Sequence, residues 1–244
     1  MRIDLNADLG EMNTPEGWAS DRAILEVVSS ASIACGGHAG EADSMRRAVE
    51  AASEFGVRVG AHPSYPDREG FGRRSGFMRA GAELRSALER QVGALRDVAG
   101  EGLAYIKPHG ALYNDAVADG RLAKMLVELA EVFGLPLMGA PVGEVKAVAR
   151  GRVGYIAEGF IDRRYGTHGH LVPRSEPGAV LESEAERLGQ MESLALEGRV
   201  TAATGEGLEL RCDTLCLHGD SPGAVATARA ARRRLEALGV EVGP

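Results

Sequence analysis

LAYIKPHGALYN, residues 103–114, opens on a short apolar run, Leu103 to Ile106, and breaks at once into Lys107, Pro108 and His109. A brief apolar run is the pattern of a strand covered on both faces. In parallel α/β folds the reactive groups collect at the carboxyl ends of such strands, where the βα loops converge. A lysine placed there is costly to desolvate unless it is paired or used. It can polarise a carbonyl or bind phosphate, or it can form a barrel-lining ion pair with Glu158 or Asp8.

The same punctuation recurs along the 244 residues. Strands are expected at Arg2 to Leu5, Val27 to Ala34, Val57 to Ala61, Leu103 to Ile106, Leu135 to Gly139, Val153 to Ala157 and Thr214 to Leu217. Helical periodicity fills the gaps: Met45, Val49, Ala52 and Phe55 closed by Gly56; Leu84, Leu88, Val92 and Leu95; Leu122 to Phe133 closed by Gly134 and Pro136. Ser221-Pro222 reads as a helix start, with Val225, Ala228, Arg232 and Leu235 following. Seven strands in βα alternation imply a parallel sheet. No linker, internal repeat or low-complexity segment divides the chain, so residues 1–244 are expected to form one α/β domain. Periodicity alone does not separate a closed barrel from an open doubly wound sheet.

The polar residues favour a barrel. Strand one runs into Asn6, Asp8 and Glu11, strand two into the glycine-rich turn before His38, and strand three into His62 and then Arg68, Arg73 and Arg74. Strand four runs into Lys107, His109 and Asn114, strand six into Glu158, Asp162 and Arg163, and strand seven into His218 and Asp220. Four of the six histidines thus hold equivalent positions after their strands, as they would around one mouth. The glycines of IACGGHAGE (33–41) admit two readings, close approach of backbone to a ligand or a tight strand-to-helix turn. The arginines of GAHPSYPDREGFGRR (60–74) suit a carboxylate or phosphate, or surface salt bridges.

Other classes are excluded. A net charge of −7 and the lack of a basic stripe argue against nucleic acid. The Arg232 to Arg234 run reads as a solvated helix face. No apolar run approaches a membrane span, and MRIDLNADLGE lacks the pattern of a signal peptide. Three cysteines make no disulfide framework, so reduced thiols in a cytoplasmic protein are expected. P-loop, dinucleotide, H-E-x-x-H, G-x-S-x-G and paired C-x-x-C patterns are all missing. The spacing singles out no metal ligands, although Asp and His at strand ends leave a divalent metal open.

DLNADLGE, IACGGHAGE, GAHPSYPDREGFGRR, KPHGALYN, DRRYGTHGHLVPRSEPGAV and CLHGD, in this order, resemble the LamB/YcsF family. The resemblance runs from the first residues to about Asp220. It implies a seven-stranded TIM-like barrel of the glycoside hydrolase/deacetylase type. It also implies the A-subunit role in an ATP-dependent 5-oxoprolinase, opening 5-oxoproline to glutamate with subunits B and C, with ATP as co-substrate and Mg2+ accompanying it. Ile161, where a small residue is expected, and the pair His168 and His170 are local departures. On this reading Lys107 with Arg68 or Arg163 holds carboxylate or phosphate, and His62 or His109 moves protons with Asp8 or Glu11 orienting it. His38, Glu158 and His218 complete the catalytic candidates, and Asn6, Arg73, Asn114 and Asp220 the substrate-binding ones. The rival expectations are a metal-dependent deacetylase or amidohydrolase acting alone, and a non-catalytic lactam-binding subunit.

Overall fold

The computed structural model describes residues 1–220 and 223–244. Ser221 and Pro222, expected as a helix start, lie outside the described residues. The chain runs β1 (Arg2–Leu9), α1 (Pro15–Leu25), β2 (Ser30–Ala34), α2 (Ala42–Phe55), β3 (Arg58–His62), α3 (Ala82–Ala99), β4 (Leu103–Ile106), α4 (Gly110–Ala118), α5 (Gly120–Phe133), β5 (Leu137–Gly139), α6 (Gly143–Ala149) and β6 (Tyr155–Phe160). It continues through α7 (Glu184–Glu192), β7 (Arg199–Thr201), β8 (Gly207–Glu209), β9 (Thr214–His218), α8 (Ala224–Ala237) and β10 (Glu241–Val242).

Strands β1, β2, β3, β4, β5, β6 and β9 are parallel neighbours in that order, and β9 returns to β1 in register from Asp4↔Thr214 to Asp8↔His218. The sheet is therefore a closed seven-stranded barrel, built from the seven strands the sequence announces. β10 adds a short parallel pairing to the start of β1, and β7 and β8 form a separate antiparallel hairpin. Helices wrap the outside. Gly56 and Gly134 end α2 and α5 in the left-handed conformation, at φ +67° and +65°. There glycine carries none of the Cβ penalty another residue would meet. The stripe Leu84, Leu88, Val92 and Leu95 of α3 is buried against the barrel.

The expectation that the strands are apolar on both faces holds only outside. On β1, Ile3, Leu5, Ala7 and Leu9 pack into the main core, while Asp4, Asn6 and Asp8 are also buried. Strand alternation places these three on the barrel axis. That is why β1 continues to Leu9 rather than ending near Leu5. The interior is filled in hydrogen-bonded layers. In the lowest, Asp4 accepts from Ser29, Ser30 and Thr214 at 2.6, 2.8 and 2.6 Å. Above it, Asn6 donates to Thr214 and the Tyr105 and Ser32 hydroxyls meet at 3.2 Å. Ile161 is fully buried in the main core, so this departure from the family pattern is a packing residue. Among the described residues no helix is long and apolar enough to cross a membrane.

Gly60 makes the Tyr105 layer possible, since a Cβ there would fall 2.1 Å from the Tyr105 ring. The ring is rigid and enclosed, so Gly60→Ala is expected to lower stability by about 1–3 kcal/mol through overpacking. Urea denaturation checks this; an unchanged midpoint would mean that the barrel centre absorbs the methyl group.

Candidate active site

A cavity of about 700 Å3 opens at the carboxyl ends of the barrel strands and reaches Asp8, His62, Lys107, His109, Arg163 and His218. Residues from five separate strand ends therefore meet at one mouth. Arg73 and Asn114 also line it.

Lys107 stands at its floor, 1% exposed. Its ammonium donates to Asp8 Oδ1 at 2.6 Å and to the Cys216 sulfur at 3.1 Å, and lies 2.7 Å from Glu158 Oε1. The Glu158 contact is an ion pair without hydrogen-bond alignment, and both Glu158 oxygens lack a hydrogen-bond partner among the described residues. Burial pulls the ammonium down, but Asp8 and the other neighbours hold its pKa well above the ordinary lysine value. Burial likewise pushes Asp8 up, yet His62 and Lys107 outweigh it and keep this carboxyl well below its usual range. For Glu158 burial prevails over the pull of Lys107, with repulsion from Asp8 adding to it, and the pKa is raised. Lys107 thus forms the barrel-lining ion pair with Asp8 and Glu158, with hydrogen bonds to Asp8 and Cys216. It also lines the cavity.

Beside this ion pair lies a cluster of three histidines and a carboxylate. Glu11, His38, His62 and His109 bring their ligating atoms within 4.8 Å of one another. His38 Nε2 is 2.9 Å from Glu11 Oε1, and its ring stacks on His109 with centroids 3.5 Å apart. His62 Nδ1 is 2.8 Å from the Lys107 carbonyl, and His109 Nε2 is 3.0 Å from the Phe71 carbonyl. Burial lowers His38 to about 4 and also lowers His109. Burial alone would raise Glu11, but His109 and His38 hold it well below its ordinary value.

The loops that deliver these groups are tightly specified. Gly40, at φ +90°, would place a Cβ 2.3 Å from the Ala34 carbonyl oxygen, and Gly36 N–H donates to Ala39 at 2.7 Å. The glycine run is therefore a tight turn that presents His38. Phe71 takes a left-handed φ of +52°, uncommon for a bulky residue, and its carbonyl receives His109. Gly10, at φ +75°, donates to buried Asp21 at 2.9 Å and so fixes the turn into Glu11.

The opposite side of the mouth is cationic. Asp220 accepts from Arg73 at 2.6 Å and from Arg174 at 3.0 Å. Arg163 is 4% exposed and donates to the Val172 and Ala179 carbonyls at 2.7 and 3.3 Å, with no carboxylate in ion-pair contact among the described residues. Burial, then Arg174, lowers its pKa, though a guanidinium stays charged. His218 Nδ1 lies 3.0 Å from both Asp162 oxygens, which leaves Nε2 as the acceptor.

Two expected site residues fall elsewhere. Arg68 is exposed, donates to the Gly40 carbonyl and pairs with Glu41 at 3.6 Å, away from the cavity. Asn6 is wholly buried below the ion pair, bonded to Thr214. Nothing in the sequence singles out Arg174, and Asp162 is there only one more strand-end carboxylate. Its tie to His218 spans 56 residues and has no local signal.

The LamB/YcsF family profile matches residues 3–244. The chain belongs to the LamB/YcsF family. A relative from Methylococcus capsulatus (strain Bath), named as the A subunit of 5-oxoprolinase, is 44% identical over 98% of this chain and 94% of its own. The crystal structure of a lactam utilization protein from Thermus thermophilus is similar at TM-score 0.89 and 39% identity, covering 100% of this chain and 99% of that one. A family 4 carbohydrate esterase from Streptomyces lividans, solved with acetate, covers 100% of this chain and 92% of its own at TM-score 0.57 and 12% identity. That likeness concerns the barrel fold alone. Within the family frame, the quoted motifs are the segments that build the mouth.

Two outcomes follow from this electrostatic layout. Lys107→Met leaves Asp8 and Glu158 buried without their cation, and is expected to destabilise the fold by about 3–5 kcal/mol in urea unfolding. Asp21 is raised from 3.8 to about 6, chiefly by burial. Its folded pKa lies above the unfolded one, so its contribution is fully present below about pH 4 and is lost as pH rises through about 6. Asp21→Asn is therefore expected to raise the urea midpoint at about pH 8, with the gain vanishing by about pH 4. An equal gain at both pH values would show that ionisation of Asp21 is not the cause.

Proposed function

We propose that this chain is the A subunit of an ATP-dependent 5-oxoprolinase, a cytoplasmic hydrolase of a cyclic amide. With subunits B and C it converts 5-oxoproline, ATP and water to glutamate, ADP and phosphate. The names of the relatives support this reading. The observation that carries it is Arg163, a buried guanidinium without its own carboxylate, facing the same cavity as Asp8 and His218. 5-Oxoproline is a small amide bearing one carboxylate, which is the anion such a site lacks.

The chemistry accounts for ATP. A lactam amide is a poor electrophile; phosphorylating its carbonyl oxygen activates the carbon, so that water adds there. The ring C–N bond then breaks with its nitrogen taking up a proton, and a second water cleaves the resulting acyl phosphate to glutamate and phosphate. The developing charge on oxygen is stabilised by preorganised cations, here the arginine side of the mouth. His218, oriented by Asp162, takes the proton from water through Nε2. Lys107 acts through Asp8, whose carboxylate it keeps ionised. ATP enters with Mg2+ as co-substrate. The missing P-loop favours a nucleotide site formed at least in part by the partner subunits.

In a coupled assay, 5-oxoproline-dependent ATP hydrolysis is expected with all three subunits and is expected to vanish when this chain is omitted. Lactam opening by the chain without ATP would instead mark an amidohydrolase acting alone. Arg163→Lys is expected to raise KM for 5-oxoproline by about 10–100-fold, the worth of one charged hydrogen-bonded contact, with a smaller change in kcat. An unchanged KM would remove Arg163 as the carboxylate anchor.

A further inference from the structure

We propose that Glu11, His62 and His109 form a binding site for one divalent transition-metal cation. The sequence singles out no such set; the argument is one of hydrogen-bond accounting. The Lys107 carbonyl can only accept, so His62 Nδ1, 2.8 Å away, carries hydrogen. The Phe71 carbonyl likewise requires hydrogen on His109 Nε2 at 3.0 Å. In the neutral imidazoles the remaining nitrogens, His62 Nε2 and His109 Nδ1, are bare lone pairs. These two atoms are 3.0 Å apart. Glu11 Oε1, also an acceptor, lies 3.3 Å from His109 Nδ1 and 4.0 Å from His62 Nε2. Three acceptors thus converge on one point with no donor among them, an arrangement that a cation resolves.

The dimensions fit. Metal–ligand bonds of about 2.1 Å in a tetrahedral site place neighbouring ligand atoms about 3.4 Å apart. The three separations of 3.0, 3.3 and 4.0 Å straddle that value. The His62 and His109 rings stand at 89°, so each can aim its in-plane lone pair at a shared centre. His38 differs. Its ring is parallel to His109 within 2° and stacked 3.5 Å away, so one ion cannot lie in both ring planes. His38 instead holds Glu11 in place through the 2.9 Å contact. The backbone carbonyls on the far nitrogens are the partners that metal-binding histidines characteristically have, fixing tautomer and ring direction. Both histidines line the cavity, and Asp8 Oδ2 stands 3.4 Å from His62 Nε2 on the same side.

Two imidazoles and one carboxylate suit zinc, cobalt or iron better than magnesium or calcium, which prefer all-oxygen sites. Bound there, such an ion supplies Lewis-acid polarisation of an amide carbonyl or of water. The proposal concerns this chain alone and does not depend on which amide the cavity takes.

Calorimetric titration of the chelator-stripped full-length chain with Zn2+, and the visible absorption of its Co2+ form, test the site. One ion per chain is expected. Glu11→Gln and His109→Gln are each expected to weaken binding at least about 100-fold, beyond the range found for outer-shell changes. Arg163→Lys, across the mouth, should leave the affinity unchanged while altering KM for the lactam, which separates this site from the carboxylate anchor. Failure of the stripped wild-type chain to take up Zn2+ or Co2+ would overturn the site and assign the paired lone pairs to a shared proton. Uptake that survives both ligand substitutions, in variants with native circular dichroism, would overturn it as surface binding.

Discussion

The Lys107 ammonium, held at the centre of the barrel, is the charge around which the interior is organised. Removing such an ion from water costs several kcal/mol, and only close anionic partners offset it. Asp8 does so in a short hydrogen bond, and Glu158 by proximity alone. Two carboxylates around one cation leave an excess of negative potential at the floor of the cavity. The neutral Cys216 thiol, pushed up by burial, completes the ammonium's coordination without adding to that excess. Beneath lie Asn6, Tyr105 and the Asp4 cluster, so the barrel axis is polar almost throughout. The apolar work of folding is left to the outer faces of the strands and the helices that cover them.

This division explains what the sequence reveals. Strands β2 to β6 and β9 announce themselves because their outward residues make brief apolar runs. β1 is read too short because its inward residues are Asp4, Asn6 and Asp8, and alternation with a charged inner face resembles chemistry placed after a strand. The caps at Gly56 and Gly134 are legible because a left-handed residue after an apolar stripe is a local demand. β10 and the β7–β8 hairpin are not, since strands of two or three residues are defined by their partners rather than by a pattern of their own.

The site divides in the same way. Four histidines at equivalent strand ends point to one mouth because barrel closure makes equivalent positions converge. Among the arginines the sequence offers no such rule. Arg68, Arg73 and Arg174 all lie in loops, and only the loop path sends the last two to Asp220 and the first to Gly40 and Glu41. Arg163 lies three residues beyond the end of β6, close enough for the barrel to set its direction, and it reaches the cavity as expected. Positions fixed by the sheet are readable; positions fixed by loops become so only when the chain closes.

The resulting mouth is electrically two-sided despite a net charge of −7 for the whole chain. One wall gathers acceptors, Asp8, Glu11 and the facing nitrogens of His62 and His109. The other gathers donors, Arg73, Arg163 and Arg174, the first and last of them bonded to Asp220. In a confined space of low dielectric, local charges of this kind outweigh the mean field of the surface. A ligand that satisfies both walls must present an anionic group to the donors and a hydrogen-bond donor, or a group held by a cation, to the acceptors. A small amide bearing a carboxylate has this polarity built into its skeleton. The same constraint makes an apolar ligand, or one with two anionic ends, a poor fit to the mouth.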